Sequence, residues 1–386
     1  ADVSGAQRPA PLHPTNAEST MSKPFVLYGW HLSYFSGKAR SYLNYKGIPY
    51  REGSLNLYTL MLRNKRKTGV VVMPVLRTPE DEWLQDTSVI IDRLEQRFPA
   101  APVLPESPLQ RLLSYLFEAW GDEWWVPIAM HTRWSYPENY ALWERDVGPA
   151  LLPGFPAFAQ RKAAAIPAKK LRGMLHSVGI RAEQFAVMNA WTLSMLDLLE
   201  RHFASHPYLF GGRPTLADFS LIGTMYGHLG RDPWPARELV GPRPQLRVWI
   251  ERMLNPPAGV QSAPLLADDQ IAETLLPVIQ AIFREFVPML EGINQKVRAL
   301  LPDYPAGKPL PRALGDIEIP MGAGTFRRSA LPYSLWMAQR VLDCLQALPT
   351  EQRESVEQWV RAQGGERLLE LQLPRLQLAG LRVIAG

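Results

Sequence analysis

The stretch Leu27-Tyr28-Gly29-Trp30-His31-Leu32-Ser33-Tyr34-Phe35-Ser36-Gly37-Lys38-Ala39-Arg40, closed by Lys46-Gly47-Ile48-Pro49-Tyr50, decides the fold. The apolar run Phe25 to Tyr28 predicts a short buried strand, and Trp30 to Ser36 a loop of polar and aromatic residues. Ser36 is the expected N-cap of the helix that follows. Ala39, Tyr42, Leu43 and Tyr45 supply its apolar face, and Gly47 stands where a C-cap glycine belongs.

Downstream, Pro49 to Glu52 predicts a second strand and Leu55 to Arg66 a helical or irregular stretch. Val70 to Leu76 is a β-rich run broken by Pro74, and Glu82-Trp83-Leu84-Gln85 is a short strand. Asp86-Thr87-Ser88 then caps an amphipathic helix that runs to about Arg97 and is ended by Phe98-Pro99. Strand, helix, strand, hairpin, helix over residues 23–102 is the order of an α/β domain of thioredoxin type.

Residues 106–255 show helical periodicity and Pro- and Gly-rich loops around 147–156 and 207–214, which predicts an all-helical second domain. A linker at Pro256 to Pro264 leads into a mainly helical extension, 256–386. Its first helical pattern, Asp268 to Leu301, carries Pro277 and Pro288, expected to kink or break it. Ile317, Ile319 and Met321 alternate like a short exposed strand or hairpin arm. Helices are expected again over about 332–348 and 351–363. Residues 1–22 read as a tag, leader or disordered arm, with Met21 as the native start.

Composition narrows the function classes. The chain has 386 residues, 46% of them hydrophobic and 20% charged, enough for a sizeable core. Its 42 Lys and Arg against 37 Asp and Glu leave a formal +5, too diffuse for a stripe that would track nucleic acid. Cys344, the only cysteine, cannot by itself form an intramolecular disulfide, a Cys-based zinc site or a redox pair, which fits a reducing cytoplasm. No metal-ligand motif, apolar run long enough to span a membrane, or signal peptide is present.

The opening stretch resembles that of the glutathione transferases, whose idiom is a strand, S-P-[FY]-S-x-K-x-R, a helix and K-G-I-P-Y. Met73-Pro74-Val75-Leu76 looks like the family's V-P-x-L turn, and Asp86-Thr87-Ser88-Val89-Ile90 like its [EQ]-S-x-A-I turn. Gly211-Gly212-Arg213-Pro214-Thr215-Leu216-Ala217-Asp218-Phe219 resembles the box before the central buried helix, and physically reads as a capping box of Thr215 with Asp218. The resemblance covers about residues 24–255. Most members lack an extension like 256–386.

The resemblance implies a serine-type enzyme that uses glutathione and no metal, forms homodimers, is cytoplasmic and serves detoxification. Ser33 falls at the catalytic position, where a hydroxyl and helix N-terminal amides hold the sulfur as thiolate. Pro74 corresponds to the cis-proline, with Met73 offering its backbone to glutathione. Asp86 and Thr87 stand where Glu or Gln and Ser bind the γ-glutamyl group. Tyr34 replaces the usual proline, and Asp86 is a methylene shorter than Glu. Tyr28 is the alternative thiol donor, otherwise a core residue. Lys38, Arg63, Lys65 and Lys67 are candidates for the glycyl carboxylate, or a solvated face.

Trp30, with Trp124 and His131 from the tryptophan-rich segment 120–134, is the expected lining of a pocket for a hydrophobic electrophile. The expected reaction is thiolate attack on that electrophile, its subtype open between conjugation, ether cleavage, dehalogenation and isomerisation. The alternative is a non-catalytic member of the fold that binds or scaffolds. In the extension, Phe326-Arg327-Arg328 and Pro332 to Met337 suggest an aromatic docking segment, set against the cleft or a partner.

Overall fold

The computed structural model describes residues 23–386, so the expected leader over residues 1–22 lies outside the described residues. Strand β1 (Phe25–Tyr28) is buried at all four positions and feeds helix α1 (Tyr34–Lys46). Gly47 ends α1 at φ 63°, the left-handed cap that a glycine adopts without a Cβ penalty. Strand β2 (Tyr50–Glu52) follows, then a π-helical turn (Thr59–Asn64) running into the short α2 (Lys65–Thr68). Strands β3 (Val75–Arg77) and β4 (Trp83–Gln85) and helix α3 (Thr87–Arg97) complete the unit.

The sheet has the order β2-β1-β3-β4, with β2 parallel to β1 and the other pairs antiparallel. Helix α1 is packed on both sides, against the sheet domain's α3 and against a helical layer, and therefore buries Ser36, Lys38 and Arg40 along with its apolar residues. That layer contains α4 (Pro108–Trp124), α5 (Val126–Trp134), α6 (Glu138–Leu151), α7 (Ala157–Arg172), α8 (Phe185–Phe203) and α9 (Leu216–Thr224). The short α10 (Pro233–Pro235) and α11 (Pro244–Leu254) close it.

All nine residues of α9 are buried. Asp218 fixes its start: one carboxylate oxygen accepts from Thr215 N at 2.9 Å, the other from Leu209 N at 3.0 Å and Trp249 Nε1 at 3.1 Å. The tryptophan-rich segment is two helices rather than one, broken at Trp125, because Pro127 in the first turn of α5 has no N–H to continue the ladder.

In the extension, α12 (Leu276–Ala281), a π-helical turn (Ile282–Phe286) and α13 (Val287–Leu300) run on without a loop. Pro277 and Pro288 each sit in a first turn, where a missing N–H costs least. The π turn directly before Pro288 lets the helix continue past it.

Ile317, Ile319 and Met321 do belong to a hairpin, β5 (Asp316–Met321) with β6 (Gly324–Ser329), but all three side chains are buried, against the expectation of an exposed arm. They pack toward α13. Helices α14 (Tyr333–Gln346), α15 (Thr350–Ala362) and α16 (Glu366–Leu369) follow, and α14 lies along α4. A second hairpin, β7 (Leu376–Ala379) with β8 (Arg382–Ala385), was not anticipated. Among the described residues no helix is long and apolar enough to cross a membrane.

Candidate functional site

Strand register assembles the candidate site. Tyr28 pairs with Val75, and Val75 with Gln85. The loop leaving β1, the turn entering β3 and the turn leaving β4 therefore emerge at one edge of the sheet. Ser33, Met73-Pro74 and Asp86-Thr87 lie on those three segments.

Ser33, not Ser36, caps α1: its Oγ accepts from Ser36 N at 3.4 Å, with extended backbone at φ −93°, ψ 128°. Both serines are chemically able to cap. Ser36 lies inside the first turn, fully buried, its hydroxyl turned against Gly29, where an added Cβ would lie 2.5 Å away. Capping uses an acceptor lone pair of Ser33 Oγ and leaves its O–H free to donate.

Tyr34 points away from this edge into the helical layer. Its hydroxyl donates to Gly121 O and accepts from Thr224 Oγ1, and a Cβ at Gly223 would fall 2.7 Å from its ring. The Met73–Pro74 peptide bond is cis.

Asp86 caps α3 at φ 72°, its Oδ1 accepting from Ser88 N at 3.0 Å and Val89 N at 3.3 Å. Its Oδ2 accepts from the hydroxyl of Tyr333 at the start of α14. Burial raises the Asp86 pKa, and the Tyr333 and amide hydrogen bonds pull against it. Thr87 is buried behind it.

Tyr28 is core: its ring stacks on Trp83 at 5.5 Å and lies under the Arg63 guanidinium at 4.7 Å. Arg63 is thereby engaged, and Lys67 pairs with Asp81 at 3.1 Å. Lys65 is exposed. Lys38 is not on a solvated face. It is buried and pairs with Glu118 at 2.9 Å and Asp122 at 2.6 Å.

Arg340 of α14 adds a second cation at Glu118, at 3.2 Å, while also reaching Asp92 at 2.6 Å. Burial pushes the Glu118 carboxyl up, but the two cations win and hold it down at about 2. Its neighbour Asp122 is pushed by burial to about 6. Glu123 is raised by burial to about 7 and accepts from the Ser334 hydroxyl of α14. Buried Arg328 reaches the Glu123 carbonyl at 3.0 Å. The extension thus packs its Tyr333-Ser334 end onto the α3 and α4 side of the site. Arg328, Tyr333 and Ser334 belong to the segment expected to dock against the cleft or a partner, whereas sequence reading gave no signal for Arg340.

Trp30 lines a cavity of about 470 Å³ with Leu32, Leu55, Val147, Pro149 and Arg231. Its indole N–H and the Arg231 Nε have no partner among the described residues. Trp124 and His131 do not join it. Trp124 is enclosed by Trp191 and Phe286, and His131 spends both ring nitrogens on Ser135 Oγ at 2.8 Å and Asn189 Oδ1 at 3.0 Å. Both are core residues because α4 and α5 turn their aromatic faces inward toward α8. Cys344 is partly buried on α14, its thiol pushed up by burial to about 11. Among the described residues no group of His, Cys, Asp and Glu is arranged to hold a metal ion.

The model of the glutathione S-transferase N-terminal domain matches residues 27–102, and that of the C-terminal domain matches residues 192–252, in the family's own order. Over these two segments the chain is a member of the glutathione transferase superfamily.

The extension lies outside both matches. No curated protein sequence matches this chain. A glutathione S-transferase-like protein from Pseudomonas syringae is 22% identical, over 61% of this chain and 67% of that one, with a TM-score of 0.36. A β-etherase from Sphingobium sp. strain SYK-6 is 18% identical over 62% and 98%, with a TM-score of 0.40. A glutathione S-transferase from Methylobacterium radiotolerans, solved with glutathione sulfonate, is 20% identical over 65% and 99%, with a TM-score of 0.39.

Proposed function

We propose that this chain is a glutathione transferase-type enzyme: it binds glutathione at the sheet edge and activates its thiol for attack on a hydrophobic electrophile. The observation that carries the reading is the row Tyr28–Val75–Gln85, which brings the Ser33, Pro74 and Asp86-Thr87 segments to one edge. Each segment then supplies one kind of contact.

The Ser33 hydroxyl donates to the sulfur beside the N-terminus of α1, where the helix dipole favours negative charge. Stabilising the thiolate lowers the thiol pKa from about 8.5 toward neutrality, so that more nucleophile is present. The Met73 backbone meets the cysteinyl part of the tripeptide. Thr87, through its hydroxyl and its own amide at the start of α3, takes the γ-glutamyl carboxylate, and Asp86 takes its ammonium group. The cavity beside Trp30 holds the electrophile, within reach of the β1–α1 loop.

A second reading, a non-catalytic binding or scaffold protein of the same fold, is favoured by one contact: Tyr333 already donates to Asp86 Oδ2. Calorimetric titration with glutathione, read beside thiolate absorbance and turnover of an aryl halide, separates the two. The enzyme reading expects binding that weakens in Asp86→Ala and Thr87→Ala, with thiolate lost in Ser33→Ala. Absence of glutathione binding by the unsubstituted chain sinks it and leaves the scaffold.

A further inference from the structure

One face of the molecule is apolar, basic and unused by the glutathione reading. Leu57, Tyr58, Met61 and Leu62 of the β2–α2 segment meet Leu152 and Phe155 of the α6–α7 loop around an open cleft of about 450 Å³. Tyr58 is 64% exposed, Phe155 57%, and Phe158, which opens α7, 60%. Apolar side chains this exposed and this close together mark an interaction surface.

The unpaired charge on the elements around the cleft is basic. No Asp or Glu occurs between Glu52 and Glu80, a span with five Lys or Arg, or between Asp146 and Glu183, a span with six. Lys65 and Arg66 on α2, and Arg161, Lys162, Lys169 and Lys170 on α7, are all exposed, and none has a carboxylate partner among the described residues. Asp81 pairs with Lys67 of α2 at 3.1 Å, and Glu52 and Asp146, which line the neighbouring cavity, are each paired, with Arg40 at 2.6 Å and Arg145 at 2.7 Å.

We propose that this face docks on the surface of an anionic lipid bilayer. Projecting aromatic and aliphatic side chains flanked by unpaired lysines and arginines are the combination that inserts at a headgroup boundary, the apolar groups entering and the cations meeting lipid phosphates. A second copy of the chain fits less well. A two-fold contact brings each patch onto itself, so the basic rim would face another basic rim. Pro153 lines both the cleft and the cavity beside Trp30, so the docked face opens next to the space assigned to the hydrophobic electrophile. The docking inference stands on exposure and charge and does not depend on that assignment.

The test is co-sedimentation of the full chain with phosphatidylserine-rich vesicles and with phosphatidylcholine vesicles. The expected result is binding to the former that falls about tenfold or more on the latter and weakens with salt. A Phe155→Ser, Phe158→Ser variant and a Lys162→Glu, Lys169→Glu, Lys170→Glu variant should each lose about tenfold in binding. Both should keep the melting temperature and the turnover of a soluble substrate. No binding to anionic vesicles, or binding indifferent to both variants, overturns the proposal. So does a dimer in sedimentation equilibrium that dissociates in the Phe155→Ser, Phe158→Ser variant, since the face would then be covered by a second copy.

Discussion

The hydroxyl of Tyr333 donates to the carboxylate of Asp86, 247 residues away in the chain. Asp86 Oδ1 is filled by the two α3 amides, whereas Oδ2 has one lone pair left beside Tyr333. Tyr333 therefore holds the carboxylate in one orientation with its remaining acceptor site open. Tyr333→Phe should raise the KM for glutathione about tenfold or more with kcat little changed, the scale of one hydrogen bond to a charged group. Initial-rate kinetics across glutathione concentration check this, and an unchanged KM refutes it.

Ser33→Ala separates cap from catalyst. The cap bond is long, at 3.4 Å, so the stability cost should stay near the low end of the range for cap removal, about 0.5 to 1 kcal/mol. The loss of the donor to sulfur should lower kcat about a hundredfold or more, with glutathione still bound and its thiolate absorbance gone. Denaturant titration and single-turnover absorbance read the two effects separately.

Much of the first domain, and the start of α9 in the second, was legible because the signals are local: the apolar run of β1, the cap glycine Gly47, Pro74 and the Thr215–Asp218 box each act within a few residues. The choice of Ser33 over Ser36 as cap was not legible, since two serines three apart offer the same hydroxyl to neighbouring turns. Lys38 reads as a surface lysine until Glu118 and Asp122 are brought to it by packing. Trp124 and His131 carry the composition of a pocket, and only the inward rotation of their helices shows them to be core. The β7–β8 hairpin did leave a trace, since Leu376, Leu378, Val383 and Ile384 flank Gly380, whose φ of 64° makes the turn.

Glu123 predicts the pH dependence of stability. Its pKa is about 7 in the folded chain against about 4.3 unfolded. Between those values the folded state binds the extra proton, so this group makes stability fall as pH rises from about 4.3 to 7, after which the penalty is complete. Glu123→Gln keeps an acceptor for Ser334 and removes the charge. Its melting temperature should exceed that of the unsubstituted chain by about 2 °C or more at pH 8, with the gap closing toward pH 5. An equal gap at both pH values contradicts the assignment.

Arg340→Met should destabilise by about 3 kcal/mol, because it strips a cation from Glu118, which stays buried. Arg340→Lys should recover only part, since a single ammonium cannot span Asp92 and Glu118 as the fork does. Denaturant unfolding monitored by tryptophan fluorescence reads both.

The 222 residues that separate Glu118 from Arg340 also set an order of events in time. At about 5 to 20 residues per second, the ribosome releases Glu118 on the order of 10 to 40 s before Arg340 exists. Throughout that interval Lys38 is, among the described residues, the one cation available at that carboxylate, shared with Asp122. The glutathione transferase core therefore completes its charge pairing only after the extension has been made, and a chain stopped between them carries an unfinished interior.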